Sequence, residues 1–136
     1  MDNLIELTIE GLDKTLAALS MLPGQSKPAL AKALYRHAER VSARAKDTFV
    51  PVDTGTLRST IHAQLPKTEG DTVSVGIAAG GPSAPYAVIV HENLNPRVRW
   101  RKAGTGPKYL ERPFLEEAVH MDESLSAALV EVVRNL

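Results

Sequence analysis

Asp53-Thr54-Gly55 is a short segment with a chemical precedent. In aspartic peptidases an Asp-Thr-Gly triplet carries one of two carboxylates that share a proton and activate water. A chain of 136 residues could supply one half of such a site in a dimer. That chemistry needs the triplet on a loop between buried strands, whereas here a long helical pattern and Pro51 precede it. The simpler reading is a tight turn, in which Asp53 accepts backbone N–H bonds and Gly55 supplies backbone freedom. The histidines are His37, His62, His91 and His120. His91-Glu92 has no second histidine four positions on, so a helical zinc motif is excluded. A metal hydrolase built from His62, His91, Glu92 and Asp53 is conceivable, but surface or interface histidines on half-exposed strands are the better reading. Gly104-Thr105-Gly106-Pro107 lacks the lysine and the helix of a phosphate loop and reads as a turn.

Cations are placed with more pattern. Arg36, Arg40 and Arg44 recur every four residues, which aligns them along one side of a helix, and Lys32 extends the line by a turn. This ridge is either a solvated outer face or a contact surface for phosphate or an acidic partner. Arg97, Arg99 and Arg101 alternate with Val98 and Trp100. Extended, that segment sets three guanidinium groups on one side and an apolar pair on the other. An exposed Trp-Arg cluster suits an interface anchor. Loops of this length in compact domains are often functional.

The elements that position these residues follow from periodicity. Residues 4–9 alternate and read as a strand. Asp13 can cap a short helix carrying Leu16, Leu19 and Leu22, stopped by Pro23-Gly24. Ser26 caps the next helix, with Pro28 in its first turn. Leu30, Ala33, Leu34, Ala38, Val41, Ala45 and Phe49 form one apolar stripe at spacings of three and four, ended by Pro51. From Leu57 the period is two, through Ser59, Ile61, Ala63 and Leu65, and Val73, Val75 and Ile77 continue it after Glu69-Gly70-Asp71. The pattern predicts a hairpin over 57–79. Tyr86–Val90 reads as a third, more buried strand. Residues 94–108 read as a basic mobile loop. A last helix opens at Pro113, with Phe114, Ala118, Met121, Leu125, Ala128, Leu129, Val132 and Leu136 on one side. The order β-α-α-β-β-β-α predicts one α+β domain over 1–136, with helices packed on one face of a small antiparallel sheet.

Composition bounds the function. With no cysteine, thiol catalysis, disulfide frameworks and iron–sulfur clusters are excluded. Sixteen Lys+Arg balance sixteen Asp+Glu, unlike a strongly cationic nucleic-acid binder. Aromatic residues are 4%, too few for a base-stacking platform. No apolar run reaches the roughly 20 residues of a membrane helix, and Met1-Asp2-Asn3 lacks the basic start of a signal peptide. The charges are nevertheless segregated. Residues 27–46 hold six cations against Glu39, residues 97–102 are basic, and residues 111–131 are acidic. Segregated patches suit surfaces that meet opposite surfaces.

Three segments carry a resemblance. Pro51-Val52-Asp53-Thr54-Gly55-Thr56-Leu57-Arg58-Ser59 follows the long helix, Tyr86-Ala87-Val88-Ile89-Val90-His91-Glu92 comes about thirty residues later, and Arg112-Pro113-Phe114-Leu115-Glu116-Glu117-Ala118 opens the last helix. In this order and spacing they resemble the tail-component family of long-tailed bacteriophages, the tail-completion or head–tail joining proteins of the neck. Asn93 departs from a glycine frequent there. The resemblance implies a structural role without catalysis or cofactor. It implies a ring, commonly of six subunits, between the head connector or stopper and the tail tube or tail terminator, through which DNA passes. It places the protein in the virion of a phage, a prophage or a gene-transfer particle, after synthesis in the host cytoplasm. A head-to-tail ring needs two unlike complementary patches per subunit. Expected interface residues are Arg36, Arg40, Arg44, Arg97, Arg99, Trp100 and Arg101 on the basic side and Glu116 and Glu117 on the acidic side. Asp53, Arg58 and Glu92 are carried over from the motif positions as turn or interface residues. A sequence-independent DNA-binding module is the competing expectation, and a dimeric peptidase using Asp53 comes behind it.

Overall fold

The computed structural model describes residues 4–10, 26–69 and 72–134. Strand β1 spans Leu4–Glu10. The helix expected over 13–22 lies outside the described residues. Helix α1 spans Ser26–Arg44. Its stripe is the inner face, because Leu30, Ala33, Leu34, Ala38, Val41, Ala45 and Phe49 are all buried. The helix runs on into a π-helical turn, Ala45–Phe49, closed by Val50 N–H donating to the Ala45 carbonyl at 2.8 Å. The wider turn buries Ala45, Phe49 and Val50 together before Pro51 ends the run. Such turns are uncommon and cluster near functional sites.

The stretch expected to open the hairpin is different. Thr56–Thr60 is a short helix, α2, entered through Gly55 at φ +85°. Leu57 and Ile61 both point inward, and four residues apart they fit a helical turn as well as an alternating strand. The hydroxyls decide for the helix. Ser59 Oγ donates to the Thr56 carbonyl at 2.7 Å and Thr60 Oγ1 to the Leu57 carbonyl at 2.6 Å. Thr60 Oγ1 also accepts from Gly80 N–H at 2.8 Å, which ties the helix to the sheet. Strands β2 (His62–Ala63), β3 (Lys67–Glu69) and β4 (Thr72–Gly80) follow. Both short strands pair antiparallel with β4, so the hairpin forms over 62–80; Gly70 and Asp71 of the expected turn lie outside the described residues. Pro66 has no N–H to continue a ladder, in keeping with the break between β2 and β3. On the other edge of β4, β1 pairs along its whole length, from Leu4 opposite Gly80 to Glu10 opposite Ser74.

Alternate residues of β4, namely Val73, Val75, Ile77 and Ala79, join the core with the inner face of α1. Fully burying one such side chain contributes about 1.5–3 kcal/mol. The expected third strand is instead helix α3, Ala87–Glu92. A short apolar run does not separate strand from helix by itself. Here Ala87 and His91 turn inward, while Ile89 is left 71% exposed. Helix α4 spans Glu111–Arg134 and lies antiparallel along α1, with Glu116 beside Arg44 and Glu131 beside Lys32 and Arg36. Leu125 is buried, Phe114, Met121 and Ala128 are half-buried against the core, and Ala118 is exposed. Leu136 lies outside the described residues. The architecture is α+β, with helices packed on a small antiparallel sheet.

Candidate functional site

The segment from Asn93 to Lys108 has no helix or strand, as expected, but it is tied down along its length. At its start, Asn93 Oδ1 accepts from Asn95 N–H and Asn95 Oδ1 from Arg97 N–H, two successive side-chain turns. At its end, Lys108 sits at φ +56° and donates its N–H to the His91 carbonyl at 2.7 Å. The Lys108 ammonium pairs with Glu92 and lies 3.7 Å from Glu111. The hydrogen bond from Lys108 holds the Glu92 carboxyl below its usual range, with His91 adding to the effect. Glu92 raises Lys108 in return. Between the ends, Gly106 N–H donates to the Phe49 carbonyl at 3.1 Å. Gly106 has φ +148°, and a Cβ there would stand 3.1 Å from Trp100 Nε1, so the indole lies directly on the glycine.

Under this clamp lies a small buried network. His91 is 3% exposed, stacks edge-on against Tyr109 with ring centroids 4.9 Å apart, and meets Glu92 Oε1 at 3.0 Å through Nδ1. Burial pushes the His91 imidazole down, against the opposing pull of Glu92. Tyr109 donates its hydroxyl to the Ala87 carbonyl at 2.8 Å, and burial raises its phenol.

Between this segment and the Pro51–Leu57 turn opens a cleft of about 710 Å³. Val52, Leu57, Tyr86 and Trp100 supply apolar surface, and Arg99 and Lys102 bring charge to the rim. Its volume lies in the range of binding pockets. Arg101 Nη1 crosses to Asp53 Oδ1 at 3.2 Å, with both side chains about 80% exposed.

The expected site residues therefore divide. Asp53, Arg99, Trp100 and Arg101 meet around the cleft. Among the described residues Asp53 caps no backbone N–H; Thr54 Oγ1 accepts from Thr56 N–H at 3.4 Å instead, and Asp53 answers Arg101. Arg58 turns back on the π-helical turn, donating to the Lys46 carbonyl at 3.1 Å and meeting Asp47 at 3.4 Å. Arg44 leaves the ridge. It bonds Glu116 at 2.6 Å and faces Glu117 at 3.7 Å, so residues assigned by sequence to opposite subunit surfaces pair within one chain. The cause is the antiparallel packing of α4 on α1, which sets a basic helix beside an acidic one. Arg36 and Arg40 remain exposed beside His37, and no ion pair to them occurs among the described residues. Arg97 and Arg99 are likewise exposed and unpaired there.

Sequence reasoning missed Lys108, Tyr109 and the guanidinium of Arg112, which lies 4.8 Å above the Phe49 ring. Only the Glu92–Lys108 charge complementarity, between residues sixteen positions apart, could have hinted at the clamp. His62 is exposed and bonds the Thr60 carbonyl through Nδ1 at 2.8 Å. Among the described residues no three of His, Asp and Glu gather into a metal-binding group. Comparison of the chain with family models, with curated proteins and with solved structures finds no match.

Proposed function

We propose that this chain is a structural subunit of the head–tail junction of a tailed phage, prophage or gene-transfer particle. In this reading it is a tail-completion or head–tail joining protein, one copy in a ring of six between the connector or stopper and the tail tube or terminator. One observation carries the reading: two of the three segments that resemble the tail-component family meet at the cleft, and the third packs close by. The first forms the floor of the cleft and Tyr86 of the second stands on its wall. Arg112 of the third lies over Phe49, two residues before the first begins. Segments about thirty residues apart thus build one surface, to which the 97–102 segment adds Trp100, Arg99 and Lys102, side-chain types suited to a protein interface. Among the described residues no helix is long and apolar enough to cross a membrane.

Deletion of the gene from the particle that encodes it tests this. Filled heads and free tails that do not join, with joining restored by the gene in trans, is the expected result. Normally joined particles without the protein would sink the reading. The unpaired Lys32, Arg36 and Arg40 side favours a second reading, sequence-independent contact with DNA.

A further inference from the structure

Between α1 and α4 runs a second recess, a groove of about 500 Å³. Small side chains leave it open: Ala33 on α1, and Ser124 and Ala128 on α4. Arg36, His37 and Arg40 stand together along it. The two arginines are exposed and one helical turn apart, about 6 Å of rise. Neither has an ion-pair partner among the described residues. His37, beside them, is the opposite case. It lines the groove at only 2% exposure, and its Nδ1 is enclosed without a hydrogen-bond partner. An enclosed N–H with no acceptor costs more than an enclosed lone pair. The neutral ring therefore keeps its bare lone pair at Nδ1 and its one proton on Nε2. No acceptor for that proton occurs among the described residues.

The acids nearby are engaged or displaced. Arg40 and His120 act on His37 as like charges, and Glu117 opposes them. Glu117 is turned to Arg44, 3.7 Å from its Nε. Glu39, next to Arg40 in sequence, lines a different recess with Ser42 and Lys46. Glu131 does line the groove, but at its Lys32 end, seven residues past Ser124 and so about 10 Å further along α4. Two guanidinium forks and a ring N–H are left converging with nothing to accept from them. They are more donors than the two oxygens of a carboxylate or of a phosphodiester take up in one place. A terminal phosphate carries three acceptor oxygens and nearly two negative charges, and arginine binds it through paired N–H bonds. We propose that this groove binds a terminal phosphate, free or as a monoester, clamped by Arg36 and Arg40 with His37 donating to it. The site goes beyond both readings of the chain's role, since it is a seat for one phosphate and not a basic face along nucleic acid.

Isothermal titration calorimetry at neutral pH tests it with inorganic phosphate, adenosine monophosphate and, as its blank, adenosine. At least one phosphate compound should bind and adenosine should not; which of the two binds tells the free ion from a monoester. Arg36→Gln with Arg40→Gln should weaken binding at least about tenfold, because hydrogen bonds to a charged group are lost. Arg97→Gln with Arg99→Gln removes the same charge elsewhere and should leave binding unchanged. All four side chains are exposed, so the fold should persist, which far-UV circular dichroism checks. Proton NMR reads the imidazole, with the His37 signals assigned by their loss in His37→Gln. They should shift as phosphate is added, and His37 should titrate at higher pH in saturating phosphate, since a bound anion favours the imidazolium. His62, exposed on β2, should not respond. Equal weakening by the two arginine pairs, or a His37 response no larger than that of His62, would mean a diffuse cationic field and would overturn the site. Binding by neither phosphate compound would overturn it too. If a duplex DNA oligomer without terminal phosphates then bound through Arg36 and Arg40, these cations would belong to a nucleic-acid face instead. None of these results touches the gene-deletion experiment, which decides the junction reading separately.

Discussion

His37 and His91 are each at most 3% exposed, and each is held neutral first by burial. His37 is pushed down further by Arg40 and His120, with Glu117 opposing; His91 is opposed by Glu92 and Glu111 and helped by Lys108. Their folded values lie below the ordinary 6.5, so the unfolded chain takes up protons first as pH falls. The stability they contribute is complete above pH 6.5 and is lost as pH falls toward their folded values. The slope is at most about 1.4 kcal/mol per pH unit for each imidazole. Glu92, whose folded value is lowered, gives stability that is lost only below its ordinary 4.5, in a separate acid window. Urea unfolding between about pH 7.5 and 5 should therefore show falling stability, and His37→Gln and His91→Gln should each flatten the curve. A flat wild-type curve would contradict the burial account. The four histidines were visible in the sequence, but not which two would be enclosed: His37 lies on the inward side of the α1 stripe, a legible position, whereas His91 was placed on a strand and owes its burial to α3 and Tyr109.

At the scale of elements, long periodic segments were legible and short ones were not. The α1 stripe spans nineteen helical residues and a π-helical turn, enough turns for a single face to emerge. The 57–61 and 86–90 stretches are too short for two periods to be told apart, and hydroxyl bonds to backbone in one, and burial of Ala87 and His91 in the other, decided for helix. The cleft was legible only as fragments, since it joins a turn, a helix start and a loop from distant positions. The sheet offers a sharper test. At Gly76 of β4 a Cβ would fall 2.0 Å from Gln64 Oε1, so the Gln64 side chain must shift to admit one. Gln64 N–H also donates to the Gly76 carbonyl at 2.7 Å, so the two residues are locked face to face where β2 leaves the ladder. Gly76→Ala should destabilise the fold by displacing the Gln64 side chain. In a Gln64→Ala background the same change should cost much less, since alanine favours strands over glycine once the space is free. The double-mutant cycle should give a coupling of about 0.5–3 kcal/mol. Additive effects would mean that Gln64 moves aside freely and that the close approach has no energetic role.

For the whole molecule, neutrality is the telling feature. Sixteen cations and sixteen acids leave no net charge at pH 7, so no overall repulsion opposes the meeting of two copies. Part of that balance is internal, in Arg44 with Glu116, Lys108 with Glu92 and Arg101 with Asp53. The unpaired cations gather on the Arg97–Lys102 segment and on the Lys32–Arg40 side, and Glu131 stands beside the second of these. Attraction between such patches acts over a Debye length, about 10 Å at 0.1 M salt and about 3 Å at 1 M. An apolar contact through exposed α4 side chains such as Val119 and Val130 would respond in the opposite sense, since sulfate salts strengthen burial. Light scattering in sodium chloride and in ammonium sulfate, at matched ionic strength, separates the two contributions. Association should weaken as sodium chloride rises, and should weaken less in the sulfate. Equal weakening in both salts would mean that these valines stay in water and that charge alone brings subunits together. No weakening in either would mean that the segregated patches are merely solvated surface.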